Sequence, residues 1–211
     1  VKGRSCHGSA PERGDNAIYK IARIALEIEK LNKRLRNDRF LGKGTVTVTE
    51  VRSSSPSLCA VADGAGIHLD RRLTAGETKA SALAEVRDAA KRAGCSDAKV
   101  FVLNYAEAAY TGKVYPTEKY YPTWVLEEKS PYLKNAVAAY TGVLGKAPLV
   151  DKWTFSTNAI AIAGMKGIPC LGLGPGNEVY AHAPNEACPI EHLSRAAAFY
   201  AALVARMNGK A

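Results

Sequence analysis

Two stretches of strict alternation, each flanked by an amphipathic helix, constrain this chain most. Residues 44–51 set Val46, Val48 and Val51 against Thr45, Thr47, Thr49 and Glu50, and residues 66–73 (Gly66-Ile67-His68-Leu69-Asp70-Arg71-Arg72-Leu73) alternate again. A period of two sends successive side chains to opposite faces of a pleat, so both stretches predict half-buried strands. Upstream, Ile18, Ile21, Ala22, Ala25, Ile28, Leu31 and Leu35 recur in steps of three and four. That spacing predicts a helix over 15–36, opened by Gly14-Asp15-Asn16. Downstream, Ala80, Leu83, Ala84, Val86 and Ala90 mark a second helix over 76–93, ended by Gly94. Further strands are expected at 1–6 and 98–103. The order βαββαβ predicts an α/β unit with two helices on one face of a four-stranded antiparallel sheet, its other face or an edge open to a partner.

After about Tyr110 the texture changes. Tyr115-Pro116, Tyr120, Tyr121-Pro122 and Trp124 form an irregular aromatic connection, and a domain boundary is expected there, dividing 1–110 from 111–211. The remainder reads as a helix at 132–144, a short strand at 148–151, a helix at 157–166, a strand at 169–173 and a final Ala-rich helix at 190–207. Two strands are too few for a doubly wound sheet, so this segment is expected to complete a sheet whose other strands lie outside the sequence. The opening Val1-Lys2-Gly3-Arg4-Ser5-Cys6-His7 begins directly as a strand. The expectation is therefore the rear part of a longer protein.

No apolar run approaches the ~20 residues of a membrane-spanning helix, since Lys166 interrupts 159–173. The formal charge of +9 is concentrated in Lys30, Lys33, Arg34, Arg36 and Arg39 at the end of the first predicted helix. Cations there complement the helix dipole, and no aromatic interleaving or motif supports nucleic-acid binding. Five scattered cysteines without a C-x-x-C pair argue against a disulfide framework and for a reducing, cytoplasmic setting.

Three motifs carry chemistry: Cys6-His7-Gly8-Ser9-Ala10-Pro11-Glu12-Arg13-Gly14-Asp15-Asn16 entering the first helix, Leu69-Asp70-Arg71-Arg72 on a strand, and the run from Gly167-Ile168-Pro169 through Gly174-Pro175-Gly176 to Ala181-His182-Ala183-Pro184-Asn185-Glu186. In this order they resemble the C-terminal half of the dinuclear zinc hydrolases that include acetylornithine deacetylase, succinyl-diaminopimelate desuccinylase and glutamate carboxypeptidase. The wording Asp70-Arg71-Arg72-Leu73 and the stretch 153–158 is most similar to the selenium-metabolism hydrolase branch. The chain has Cys59-Ala60-Val61-Ala62 where the family often has Asn-x-x-Pro, and Thr157-Asn158 where many members have Ser-Asp.

The resemblance implies that 1–110 is a lid, or dimerisation, domain and that 111–211 returns to an α/β zinc-hydrolase catalytic domain whose front half is absent. It implies a homodimer, two zinc ions (or cobalt or manganese) in the intact enzyme, and a small N-acyl amino acid or dipeptide-like amide as substrate. His182 falls on a terminal metal ligand, His7 on the histidine offered to the neighbour's active site, and Arg72 on the arginine that holds a substrate carboxylate. The fragment alone is expected to be inactive.

Each assignment has a plainer alternative on residue type. A loop histidine is ordinarily solvated, and His7 beside Gly8 and Pro11 fits turn packing. A strand arginine such as Arg72 commonly pairs locally, with Asp70 or Glu77, while Arg71 points to the opposite face. Gly174 and Gly176 permit close approach of backbone N–H groups to a substrate, and equally a tight turn. His68-Leu69-Asp70 and Glu127-Glu128 imitate metal motifs but fall in a strand of the lid and at a helix start. A complete interaction module without catalysis is the rival reading, and an anion or nucleic-acid binder driven by the charge the weaker one.

Overall fold

The computed structural model describes residues 1–153 and 155–209. Thr154, within the 153–158 stretch, lies outside the described residues. The chain divides into two compact units, Val1–Thr123 and Trp124–Ala211, so most of the aromatic connection belongs to the first.

In the first unit, helix α1 (Ala17–Arg34) begins where the Asn16 side chain accepts the N–H of Ile18 at 2.9 Å. This satisfies one of the donors that a first helical turn leaves unpaired. Strands β1 (Thr45–Ser54) and β2 (Gly64–Arg72) pair antiparallel, with Val46 opposite Arg71 and Val48 opposite Leu69. Helix α2 (Lys79–Arg92) opens on a reciprocal cap between Thr78 and Ser81. Gly94, at φ +74°, takes the left-handed turn that ends it. Ile21, Ile24, Ile28 and Leu31 of α1 meet Val46, Ala89, Ala90 and Cys95 in the buried core, with Val48, Ile67 and Leu69 packed against it. Each such large apolar side chain contributes roughly 1.5–3 kcal/mol by leaving water. Both helices therefore cover one sheet face, while Thr45, Thr47, Thr49, His68 and Arg72 stand exposed on the other.

The α/β two-layer class holds, but the four-stranded ladder does not. Residues 1–7 make single bridges, Lys2 to Gly64, Arg4 to Asp15 and His7 to Ala60, because the segment changes partner along its length. Residues 98–103 form no ladder among the described residues, and Phe101 is 69% exposed. Pairing resumes only at Asn104–Tyr105 with Thr117–Glu118. Alternation supplies the side-chain pattern of a strand, but a strand also needs a backbone neighbour.

A short hairpin joins Asn37–Asp38 to Gly42–Lys43. Its turn is organised by Asp38, whose carboxylate accepts the N–H groups of Leu41 at 2.8 Å and Phe40 at 2.9 Å. These bonds, led by that from Leu41, hold the carboxyl below its ordinary value of 3.8. A depressed carboxyl stabilises the fold above its unfolded pKa, and the gain disappears as pH falls through the folded value. Asp38→Asn is therefore expected to lower the urea midpoint at about pH 7, with the difference closing towards about pH 2. Matching midpoints at neutral pH would refute this.

In the second unit, helices α3 (Pro131–Leu144) and α4 (Ile190–Met207) enclose a small core of Ala136, Ala139, Phe199 and Leu203. Gly145, at φ +70°, closes α3. The strands expected at 148–151 and 169–173 form no ladder among the described residues. Leu171 and Leu173 instead lay their side chains on the helical core. The helix expected at 157–166 is shorter and centred on a π turn, Ile160–Gly164. No described helix is long and apolar enough to cross a membrane.

Candidate functional site

The first unit carries His7 and Arg72. The backbone around His7 is held by Val61 N–H to the Cys6 carbonyl at 2.9 Å and Gly8 N–H to the Cys59 carbonyl at 2.6 Å. A Cβ at Gly8 would lie 2.8 Å from the Cys59 oxygen, so this close approach needs glycine. The His7 ring is exposed, and its Nδ1 accepts the Ser9 N–H at 3.1 Å, with the Ser9 hydroxyl at 2.7 Å. A backbone N–H only donates, so Nδ1 is the acceptor and a neutral ring carries its proton on Nε2. The sequence Cys6-His7-Gly8-Ser9 thus presents an oriented N–H donor to solvent.

Arg72 and Arg71 are adjacent on β2 and point to opposite faces. Arg72, with its side chain 70% exposed, forms a bidentate pair with Asp70, Nε to Oδ1 at 2.8 Å and Nη2 to Oδ2 at 2.9 Å. A ligand carboxylate would have to share or displace Asp70. Arg71 lies beneath α2, bonded to Glu77 at 2.5 Å and Glu85 at 2.9 Å. Burial opposes its charge, but the two carboxylates outweigh that and raise its pKa. The Thr74 N–H donates to the other Glu77 oxygen at 2.7 Å, and the Arg71 Nε is buried without a partner among the described residues.

His7 and Arg72 are not brought together. The N-terminal segment bridges to Gly64 at the start of β2, with His7 further out against Ala60, whereas Arg72 ends the strand. Eight residue steps along β2 span about 26 Å.

The second unit carries Gly174, Gly176 and His182. Gly174 is exposed, and a Cβ there would meet nothing within 4 Å. The Gly176 N–H is already committed to Nδ1 of His192 at 3.3 Å. Of these two glycine N–H groups, that of Gly174 meets no acceptor among the described residues. His182 is exposed at φ 62°, in a turn where its own N–H donates to the Glu186 carboxylate at 3.2 Å. Asn185, also at φ 62°, allows the chain to turn back for that bond. Glu186 thus organises the loop that displays His182. His192 and Tyr200, both on α4, have no counterpart among the motifs, and only tertiary proximity exposes their part in this loop.

A zinc site takes four ligands, and even an open catalytic site takes three from protein. Among the described residues, no group of three or more His, Cys, Asp or Glu side chains is placed to hold a metal. The described donor set therefore does not fit a metal centre by itself.

Residues 1–97 match the family model described as the peptidase dimerisation domain, M20_dimer. The chain is 55% identical over 203 residues to uncharacterized protein YgeY of Escherichia coli (strain K12), covering 96% of this chain and 50% of that protein. Its fold matches aminopeptidase PepT from Bacillus cereus ATCC 10987 with a TM-score of 0.64 and 21% identity, over 97% of this chain and 49% of the other. It also matches the M20 family metallo-carboxypeptidase Sso-CP2 from Sulfolobus solfataricus with a TM-score of 0.56 and 17% identity, over 97% and 55%. Residues 1–97 are thus similar to a peptidase dimerisation domain, in a chain that spans about half the length of the relatives it matches.

Proposed function

We propose that this chain is the rear part of a homodimeric, metal-dependent amidohydrolase or peptidase that cleaves the amide of a small N-acyl amino acid or dipeptide-like substrate. Residues 1–110 would be the lid through which two copies associate, and 111–211 the returning segment of the catalytic domain. The observation that carries this reading is the separation of His7 from Arg72 across a unit that matches a dimerisation domain. Two polar groups at opposite ends of one lid serve a common substrate only if different copies supply them.

In this assignment the Arg72 fork takes the substrate carboxylate in place of Asp70, with paired N–H···O bonds. His7 of the other copy donates its Nε2–H to the oxyanion that develops on the amide carbonyl. His182 would be one metal ligand, with the other ligands of a zinc, cobalt or manganese pair lying outside the described residues. The five free cysteines are consistent with a reducing compartment such as the cytoplasm. Within the family, the acetylornithine deacetylase and desuccinylase group, and its selenium-metabolism branch, is the assignment the motifs favour.

The test is a fusion of this chain behind the front half of the E. coli relative, loaded with zinc or cobalt. Its oligomeric state is read by sedimentation, and hydrolysis is assayed against N-acyl amino acids and dipeptides. The fusion is expected to be dimeric and active. His7→Ala is expected to lower kcat by about 100- to 1,000-fold, as for loss of one oxyanion donor. Activity should return when His7→Ala and Arg72→Ala subunits are mixed, because each heterodimer then rebuilds one intact site. Full activity of a monomer would sink the shared-site reading.

A further inference from the structure

Leu173-Gly174-Pro175-Gly176 offers three backbone N–H groups, since proline has none. Helix α4 takes two of them. The Leu173 N–H meets the Tyr200 hydroxyl at 3.3 Å, and that hydroxyl donates in turn to the Leu173 carbonyl. The Gly176 N–H donates to His192 Nδ1 at 3.3 Å. His192, Ala196 and Tyr200 lie on one i, i+4, i+8 ridge of the helix, which explains how a single element reaches both ends of the turn. Gly174 remains: it is exposed, has open space around it, and its N–H meets no acceptor among the described residues.

We propose that His192 and Tyr200 are positioning residues that withdraw the Leu173 and Gly176 donors from any ligand, leaving the Gly174 N–H as the turn's single donor for one carbonyl or carboxylate oxygen. This rests on the reading of 174–176 as a ligand-facing turn and narrows it from two donors to one. Because a backbone N–H donates only, His192 must present an unprotonated Nδ1, and the ring acts here as an acceptor and not as a base. Gly176, at φ +95°, lies in a conformation with little intrinsic preference of its own, so the bond from α4 is what holds the direction of its N–H. Tyr200 does the same on either side of Leu173: it meets the N–H of one peptide and the carbonyl of the next, which is the peptide that carries the Gly174 N–H, and neither group has a ladder partner.

Amide hydrogen exchange of the 211-residue chain, read by 1H–15N spectra, tests this without any hydrolysis. Gly176 should exchange at least ~10-fold more slowly than Gly174. His192→Ala should abolish the difference, whereas His192→Asn should retain it, because the Asn Oδ1 places an acceptor where Nδ1 was. In the active fusion, His192→Ala should raise KM about fivefold with kcat little changed, and His192→Asn should restore KM. Equal exchange at the two glycines in the parent chain, or an Asn variant behaving like Ala in exchange, overturns the proposal. An inactive fusion would count against the hydrolase reading alone, since the exchange result stands apart from it.

Discussion

Arg71→Ala is expected to lower unfolding stability by about 3–5 kcal/mol, the cost of removing one partner from a buried ion pair. The side chains of Arg71 and Glu77 are only 10% and 4% exposed, so the truncation strands a carboxylate with little access to water. Glu77 cannot simply be deleted as well, because its second oxygen accepts the N–H of the buried Thr74. An Arg71→Met, Glu77→Gln double variant removes both charges while keeping that acceptor. It should recover most of the loss, since the pair offsets its own desolvation only in part. Urea unfolding of the two variants and the parent measures this. A single variant within about 1 kcal/mol of the parent would show that the Arg71–Glu77–Glu85 cluster does not hold α2 to β2.

Phe199→Ala should cost the second unit about 3–5 kcal/mol, as expected for a large aromatic removed from a core that cannot collapse around the gap. Phe199 is 2% exposed and meets Tyr140 and Tyr200 edge-on, at 6.2 and 5.1 Å between ring centres. Its other core neighbours include Ala136, Ala139 and Ala202, which have no spare side-chain length to move into the hole, beside Leu171, Leu173 and Leu203. Amide exchange resolved by helix is the readout: protection should fall in α3 and α4 while α1 keeps its own. Uniform loss across both units would contradict the independence of their cores.

Legibility followed the range of the forces. The α1 stripe from Ile21 to Leu31 and the Val46–Val48 face were readable because burial on one side imposes a period on the local sequence. The strands expected at 98–103, 148–151 and 169–173 carry a similar apolar signature without a ladder among the described residues. At 169–173 Leu171 and Leu173 lie on helices, whereas Phe101 and Leu149 are 69% and 88% exposed, so an apolar run alone fixes neither a ladder nor burial. At the site, the motifs singled out His7, Arg72, Gly174, Gly176 and His182 as individual residues. The reading of Arg72 as locally paired with Asp70 or Glu77 anticipated its Asp70 partner, but no motif foretold the His192 bond that engages the Gly176 N–H.

The sequence by itself determined the helix positions, the two alternating strands, the opposite directions of Arg71 and Arg72 and the left-handed turn at Gly94, because each depends on covalent chirality and on neighbours within a few residues. Tertiary structure alone decided which backbone donors stay free, which arginine is buried between two glutamates, and that His7 and Arg72 stand at opposite ends of one unit. Those outcomes depend on hydrogen-bond partners 6 to 27 residues away and on the length of a paired strand. A hydrogen bond acts over about 3 Å of space and is blind to distance along the chain.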